Sequence, residues 1–168
     1  YEGILRGLQS AGNAGEFYTP RALTDFIIAV LNPQLGETVG DFTSGTGGFL
    51  TSALNHLAKQ VKTVEDGRKF QNAVIGQEWK PLPYLLSITN LLLHDVEAPN
   101  IRNCDSLGTK LSDFTEADKV DVIAMNPPYG GSTDAAAKSN FPTEFRSSET
   151  ADLFMVLIMR RLKAHGRA

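Results

Sequence analysis

From Pro20 the chain places apolar residues at helical spacing, Leu23, Phe26, Ile27, Val30 and Leu31, until Asn32-Pro33 breaks the run. The spacing predicts a helix that starts at Pro20, where a missing N–H is not needed. The small, Gly-rich stretch Ser10 to Gly15 before it reads as a loop. Thr38 to Phe42 reads as a short buried strand, and Gly45-Thr46-Gly47-Gly48 as a tight turn. Phe49, Leu50, Ala53, Leu54 and Leu57 then mark an amphipathic helix. The polar stretch Lys62 to Gln71 reads as a connection. Ala73 to Gly76 is a second strand ending at Gln77-Glu78, and Pro81 to His94 a helix with Tyr84, Leu85, Ile88, Leu91 and Leu92 on one side. Asn100 to Cys104 is a third, short strand. Val120 to Met125 is the clearest strand, and it runs into Asn126-Pro127-Pro128-Tyr129, where prolines end sheet pairing. Gly130 to Ser148 reads as loop, and Asp152 to Lys163 as a last helix with Gly166 as its C-cap.

Strands that alternate with helices predict an α/β fold with a doubly wound, mostly parallel sheet. Ligands of such sheets bind beyond the carboxyl ends of the strands. That rule gathers the turn after Asp41, Glu78, Asp105 and Asn126 around one crevice. Another strand is expected beyond the last helix, so the sheet is expected to be incomplete at the C-terminus. A length of 168 residues allows a real core without staples. The formal charge of −3 argues against a self-sufficient nucleic-acid binder. One cysteine, Cys104, excludes an internal disulfide and a cysteine-based zinc cluster, and His56, His94 and His165 show no ligand spacing. The apolar runs are too short to span a membrane, no signal peptide is visible, and the expected setting is a reducing cytoplasm. Arg160, Arg161, Lys163 and Arg167 read as a basic helix end that the helix dipole favours without a partner.

Candidate chemistry sits at the strand ends. In Asp41-Phe42-Thr43-Ser44-Gly45-Thr46-Gly47-Gly48-Phe49, glycines permit close approach of a ligand, the helix behind presents free N–H groups, and Asp41 attracts an ammonium. Position 50 is not glycine and no Gly-Lys-Ser/Thr follows, so this is neither the dinucleotide fingerprint nor a phosphate loop. Taken alone, it reads equally as a glycine turn with a solvated Asp. Glu78 can accept both hydroxyls of a ribose. Trp79 can pack on a purine, or be a surface aromatic. Asp105-Ser106-Leu107 can accept from an adenine amino group, or be an ordinary turn. The most specific feature is Asn126-Pro127-Pro128-Tyr129. The Asn126 amide oxygen and the Pro127 carbonyl can accept both N–H bonds of an exocyclic amine, and Tyr129 offers a flat surface for an extruded base.

Read together, these sites resemble the class I S-adenosylmethionine-dependent methyltransferases of the amino-methylating kind, over Gly15 to Ala168. The segment Gly15-Glu16-Phe17-Tyr18-Thr19-Pro20-Arg21 narrows the resemblance to the modification (M) subunit of type I restriction-modification systems, adenine-N6 DNA methyltransferases. The resemblance implies a Rossmann-like catalytic domain, with residues 1–36 as a cofactor-covering segment and helix and residues 37–168 as the core. It implies that Glu16, Phe17, Tyr18, Thr19, Pro20 and Arg21 lie over the methionine part of S-adenosylmethionine. Asp41, Thr43, Gly45, Thr46, Gly47, Gly48, Glu78, Trp79, Asp105 and Ser106 are then the remaining cofactor-binding positions, and Asn126, Pro127, Pro128 and Tyr129 the catalytic ones. The glycine loop matches the family's Asp-Pro-x-x-Gly-Thr-Gly-Gly-Phe except that Phe42 stands in place of Pro and Thr43-Ser44 depart from the usual choices. The implied partners are double-stranded DNA, a DNA-specificity subunit and a restriction subunit. No metal and no membrane is implied. Two other functions stay open: N-methylation of a protein glutamine or an RNA base, which the Gly15 to Arg21 segment disfavours, and a cofactor-binding fragment without turnover.

Overall fold

The computed structural model describes residues 18–129 and 135–168, so the loop expected at Ser10 to Gly15, and Glu16 and Phe17, fall outside the described residues. Helix α1 (Arg21–Leu31) begins at Pro20, and Asn32 closes it in the left-handed conformation. Strand β1 (Val39–Asp41) is buried along its whole length. Helix α2 (Gly48–Ala58) follows the glycine turn, then come α3 (Val64–Gln71), β2 (Val74–Glu78), α4 (Pro81–Leu92), β3 (Ile101–Asn103) and β4 (Val120–Ile123). The described chain ends with the short helix α5 (Ala135–Ser139), helix α6 (Thr150–Arg161) and strand β5 (Leu162–Arg167).

The strands form one parallel sheet in the order β3-β2-β1-β4-β5. The chain fills one half of the sheet from β1 outward and then crosses to the other side of β1. The strand order therefore reverses between β1 and β4, which is where sheets of this kind open a crevice. Both faces are covered. On one, Val39, Val74 and Val122 meet Ile28 of α1, Leu50 and Leu54 of α2 and Leu91 of α4. On the other, Phe42, Val120 and Ile123 meet Leu153, Phe154 and Leu157 of α6, with Leu107, Leu111, Phe114 and Phe141 from the connections. A sheet buried on both faces reads as unbroken apolar runs, which is why β4 was so clear.

Several expectations need correction. Lys62 to Gln71 is not a bare connection: α3 occupies most of it, and only Phe70 is buried. Its periodicity is therefore weak, but Thr63 and Asp66 form a capping box that starts the helix, with the Thr63 hydroxyl accepting from the Asp66 N–H and the Asp66 carboxylate from the Thr63 N–H. Gly130 to Ser148 is not all loop, since it holds α5. The apolar helix faces were also misassigned in part. Leu23, Phe26 and Val30 of α1 and Leu85 and Leu92 of α4 are exposed, whereas Thr24, Ile28, Ser87 and Asn90 are buried. The α1–α2 contact is polar at its centre, where the Thr24 and Ser52 hydroxyls lie 2.8 Å apart.

The last helix ends two residues earlier than expected, and Gly166 is not its cap. It lies in β5, which pairs with β4 through a register shift between Val120 and Val122. The strand expected beyond the end of the chain is thus already within it, directly after α6. Its sequence is polar and small, and its place comes from main-chain pairing and cations rather than an apolar pattern. Arg167 is held by Glu37 through Nη1 and Nη2 at 2.9 and 2.7 Å and by the Leu31 and Asn32 carbonyls, and Lys163 pairs with Asp121 at 2.9 Å. Arg160 donates to the Leu111 and Phe114 carbonyls. Arg161 is 5% exposed, with its guanidinium 4.0 Å from the Phe42 ring centre, 4.8 Å from that of Phe114, and its Nε donating to the Asp118 carbonyl. The four cations are clamps, not a partnerless helix end.

A Cβ at Gly166 would sit 2.9 Å from the Lys163 carbonyl oxygen and 3.1 Å from that of Asp121. Gly166→Ala is therefore expected to destabilise the protein by about 1–3 kcal/mol in chemical denaturation. No loss would show that β5 is not docked on β4.

Candidate active site

β1 delivers Asp41 to the sheet's carboxyl edge with a carboxyl group buried to 1% exposure. The only hydrogen bond found for it among the described residues is from the Thr43 N–H, at 3.1 Å. Burial in this setting pushes its pKa up to about 7, opposed by the Thr43 N–H and reinforced by the nearby charge of Glu78. Among the described residues no cation pairs with this carboxyl.

The loop after Asp41 needs its glycines at two places. Gly45 and Gly47 take positive φ, +53° and +83°. A Cβ on Gly47 would lie 2.8 Å from the Ser87 Oγ, whereas one on Gly45 would meet nothing, so Gly45 faces open space. The turn is held from outside. Glu78 accepts the Gly45 N–H at 2.8 Å through Oε2 and the Lys80 N–H at 2.8 Å through Oε1. The Gln77 carbonyl accepts from the Ser44 N–H, and Asn90 donates to the Thr46 carbonyl at 3.0 Å. Glu78 therefore braces the loop as well as standing at the end of β2. Gln77 and Asn90 are contributors that the motif reading missed. The signal for Asn90 was a polar residue within an otherwise apolar helix stretch. The Thr43 and Ser44 hydroxyls and the Ser87 Oγ are buried and have no hydrogen-bond partner among the described residues.

Phe42, the departure from the resembled motif, has its own reason. Its ring is 1% exposed, lies 3.0 Å from where a Gly40 Cβ would be, and carries the Arg161 guanidinium on its other contacts. It belongs to the core below the loop, so the side chain at this position need not touch a ligand.

At β3 the structure separates two candidates. Asp105 is exposed and its Oδ1 accepts the Leu107 N–H at 2.9 Å, the turn expected of it. Ser106 is buried, with its hydroxyl 2.6 Å from the Phe42 carbonyl and 3.1 Å from the Gln77 Oε1. It ties the end of β3 to the ends of β1 and β2 rather than facing open space. Trp79 is 70% exposed beside Glu78, with its ring free to receive a flat ligand.

Asn126 follows β4, two residues past Ala124, whose N–H bonds the Gly40 carbonyl of β1. Asp41 and Asn126 therefore leave adjacent strands at the same end. Asn126 and Pro127 are half-buried, Pro128 is exposed and Tyr129 is 66% exposed. The Asn126 Nδ2 donates to the Thr19 Oγ1 at 3.3 Å, and the Tyr129 hydroxyl donates to the Asn126 Oδ1 at 2.7 Å. The segment before α1 thus reaches the proline motif across more than a hundred residues. Pro20 caps α1 through its carbonyl, Arg21 is anchored by its Nη1 to the Thr51 hydroxyl of α2 at 2.6 Å, and Tyr18 is at the surface. Among the described residues, no group of three or more His, Cys, Asp or Glu could hold a metal ion. Nor, among them, is any helix long and apolar enough to cross a membrane.

The family model described as N-6 DNA Methylase matches residues 1–168. The chain is 51% identical over 170 residues to the type I restriction enzyme EcoEI methylase subunit of Escherichia coli, covering 100% of this chain and 34% of that protein. It is 34% identical to the StySPI methylase subunit of Salmonella potsdam, again over 100% of this chain and 33% of that one. A solved structure of a modification subunit ascribed to a type I restriction enzyme of Vibrio vulnificus YJ016 superimposes with a TM-score of 0.91 at 49% identity, over 97% of this chain and 34% of that chain. The chain thus spans about a third of the length of these relatives.

The raised Asp41 pKa has a sign that can be tested. Between pH 4 and pH 7 the folded protein holds a proton that the unfolded chain has released, so stability falls as pH rises through that window and levels off above it. Asp41→Asn cannot ionise. It is expected to match the parent near pH 4 and to exceed it at pH 8 by on the order of 4 kcal/mol in thermal unfolding. An unchanged pH slope would show that Asp41 does not carry the burial penalty.

Proposed function

The chain belongs to the N-6 DNA methylase family, and from that premise we propose that the protein containing it transfers a methyl group from S-adenosylmethionine to the N6 amine of adenine in double-stranded DNA. We propose that it does so as the modification subunit of a type I restriction-modification system, beside a DNA-specificity subunit and a restriction subunit, in the cytoplasm where the DNA is. The observation that carries the reading is the placement of a cation-seeking carboxyl and an amine acceptor on adjacent strand ends, Asp41 after β1 and Asn126 after β4, with Thr19 bonded to the latter.

The residues fit the cofactor. Asp41 offers a buried carboxyl to the ammonium of its methionine part, and the Gly45 face is open. Glu78 keeps lone pairs beyond those used by Gly45 and Lys80, which suit ribose hydroxyls. Trp79 and Asp105 are exposed beside it for the adenine part, and Ser106 holds those strand ends in place. When bound, S-adenosylmethionine supplies an electrophilic methyl group on a positively charged sulfur.

The chain's own work lies on the acceptor side. The Asn126 Oδ1 and the Pro127 carbonyl accept the two N–H bonds of the target amine, which favours a more pyramidal nitrogen and frees its lone pair. The prolines stiffen the backbone that presents these oxygens. Tyr129, exposed at the rim, stacks on the base once it leaves the duplex. Positioning then does most of the remaining work, because the leaving group is already activated. The −3 charge supports a division of labour in which sequence reading resides in the specificity subunit.

In the full-length protein with its partner subunits, Asn126→Ala is expected to lower N6-adenine methylation by on the order of 10²–10³ while calorimetry still detects cofactor binding. Asp41→Ala is expected to weaken cofactor binding by about 1.5–3 kcal/mol, the worth of a charged hydrogen bond. Methylation that survives Asn126→Ala, or that prefers a protein glutamine or RNA over duplex DNA, would overturn the reading.

A further inference from the structure

The amide of Asn126 is engaged at both ends. Its nitrogen donates to Thr19, and its oxygen accepts the phenolic proton of Tyr129 at 2.7 Å. This oxygen is the acceptor that the target amine requires. Tyr129 is the residue on which the base stacks. The two roles compete in the base-free protein, because the hydroxyl of the stacking residue already takes one of the two acceptor sites of the oxygen that the base's amine must reach. Tyr129 lies three positions from Asn126 and is 66% exposed, with its hydroxyl bonded to the Asn126 oxygen.

Resting on the methyltransferase reading, we infer that the Tyr129 hydroxyl is a latch on the Asn126 oxygen, closed without a target base and exchanged for an amine N–H when the base arrives. A phenol O–H and an amine N–H are both single-proton donors of suitable length, so the exchange leaves the Asn126 oxygen satisfied in both states. The latch raises the energy of base insertion by about one hydrogen bond, less what the released phenol regains from water. Because it opens before any base settles, it weighs on every base alike, whether or not the base carries an amine. A hydroxyl that instead braced the catalytic geometry would act only on the transfer step.

Tyr129→Phe separates the two, since it keeps the ring and removes only the hydroxyl of an exposed residue, where folding is not at risk. The assembled full-length enzyme is placed on a duplex containing its methylated site, mapped by sequencing the host's DNA, with 2-aminopurine in place of the target adenine. This base lacks the 6-amino group, and its fluorescence rises when it leaves the stack. The latch predicts that Tyr129→Phe raises the extruded fraction roughly threefold to fivefold, the size of one net hydrogen bond. It also predicts that KM for the adenine-containing duplex falls by a similar factor. Tyr129→Ala, which loses ring and hydroxyl together, is expected to fall below the parent in extrusion. An unchanged or lowered extruded fraction in Tyr129→Phe, with the parent extruding and methylating normally, would overturn the latch alone. Failure of the parent to methylate adenine at all would overturn the methyltransferase reading beneath it.

Discussion

β1 has a hydrogen-bonded neighbour on each edge, β2 on one and β4 on the other, and this double pairing constrains the rest of the site. Parallel pairing aligns carboxyl ends. Asp41 pairs with Gly76, and Gly40 with Ile123, so the residues that follow β1, β2 and β4 leave the sheet together. The reversal of strand order between β1 and β4 then separates the helices that would otherwise fill the gap. Strand pairing brings a buried carboxyl, a glycine turn and a proline-stiffened acceptor to one edge, and contacts such as Thr19 to Asn126 and Glu78 to Gly45 hold them there. The main chain places them, and side chains refine the placement.

The refinement is a set of braces around the glycine turn. Glu78, Asn90 and the Gln77 carbonyl hold successive members of the loop, and Ser106 ties β3 to the end of β1. Below it, Phe42 rests in the core with Arg161 and Phe114 stacked about the same guanidinium. The turn is thus fixed from three sides, and the side towards Gly45 remains open. A preorganised loop of this kind lets a ligand bind without ordering the backbone first.

Much of this was legible because chemistry and punctuation coincide in the chain. β4 announced itself by Val120 to Met125 followed by two prolines, and β1 by an apolar run ending in Asp and glycines. Those signals located the carboxyl ends of β1 and β4 within a residue or two. What escaped was structure whose stabilisation is not apolar. The helix α3 buries only Phe70 and depends on a two-residue cap. The strand β5 carries Lys163, His165 and Arg167, and is docked by ion pairs to Asp121 and Glu37 that lie far away in sequence. The exposed faces of α1 and α4 also misled, because Leu23, Phe26 and Leu85 continue an apolar pattern past the buried stripe. The brace of Glu78 on the Gly45 N–H and the reach of Thr19 to Asn126 are tertiary facts that no local pattern encodes.

The central claim is that cofactor and target amine meet at one rim, between the glycine loop and the proline motif. The most direct measurement is a crystal structure of the full-length protein with the spent cofactor S-adenosylhomocysteine. The account predicts that its ammonium lies against Asp41, its ribose against Glu78, and its sulfur on the side of the crevice that Asn126 faces. Cofactor bound elsewhere than the β1–β4 reversal, or a sulfur turned away from Asn126, would contradict it.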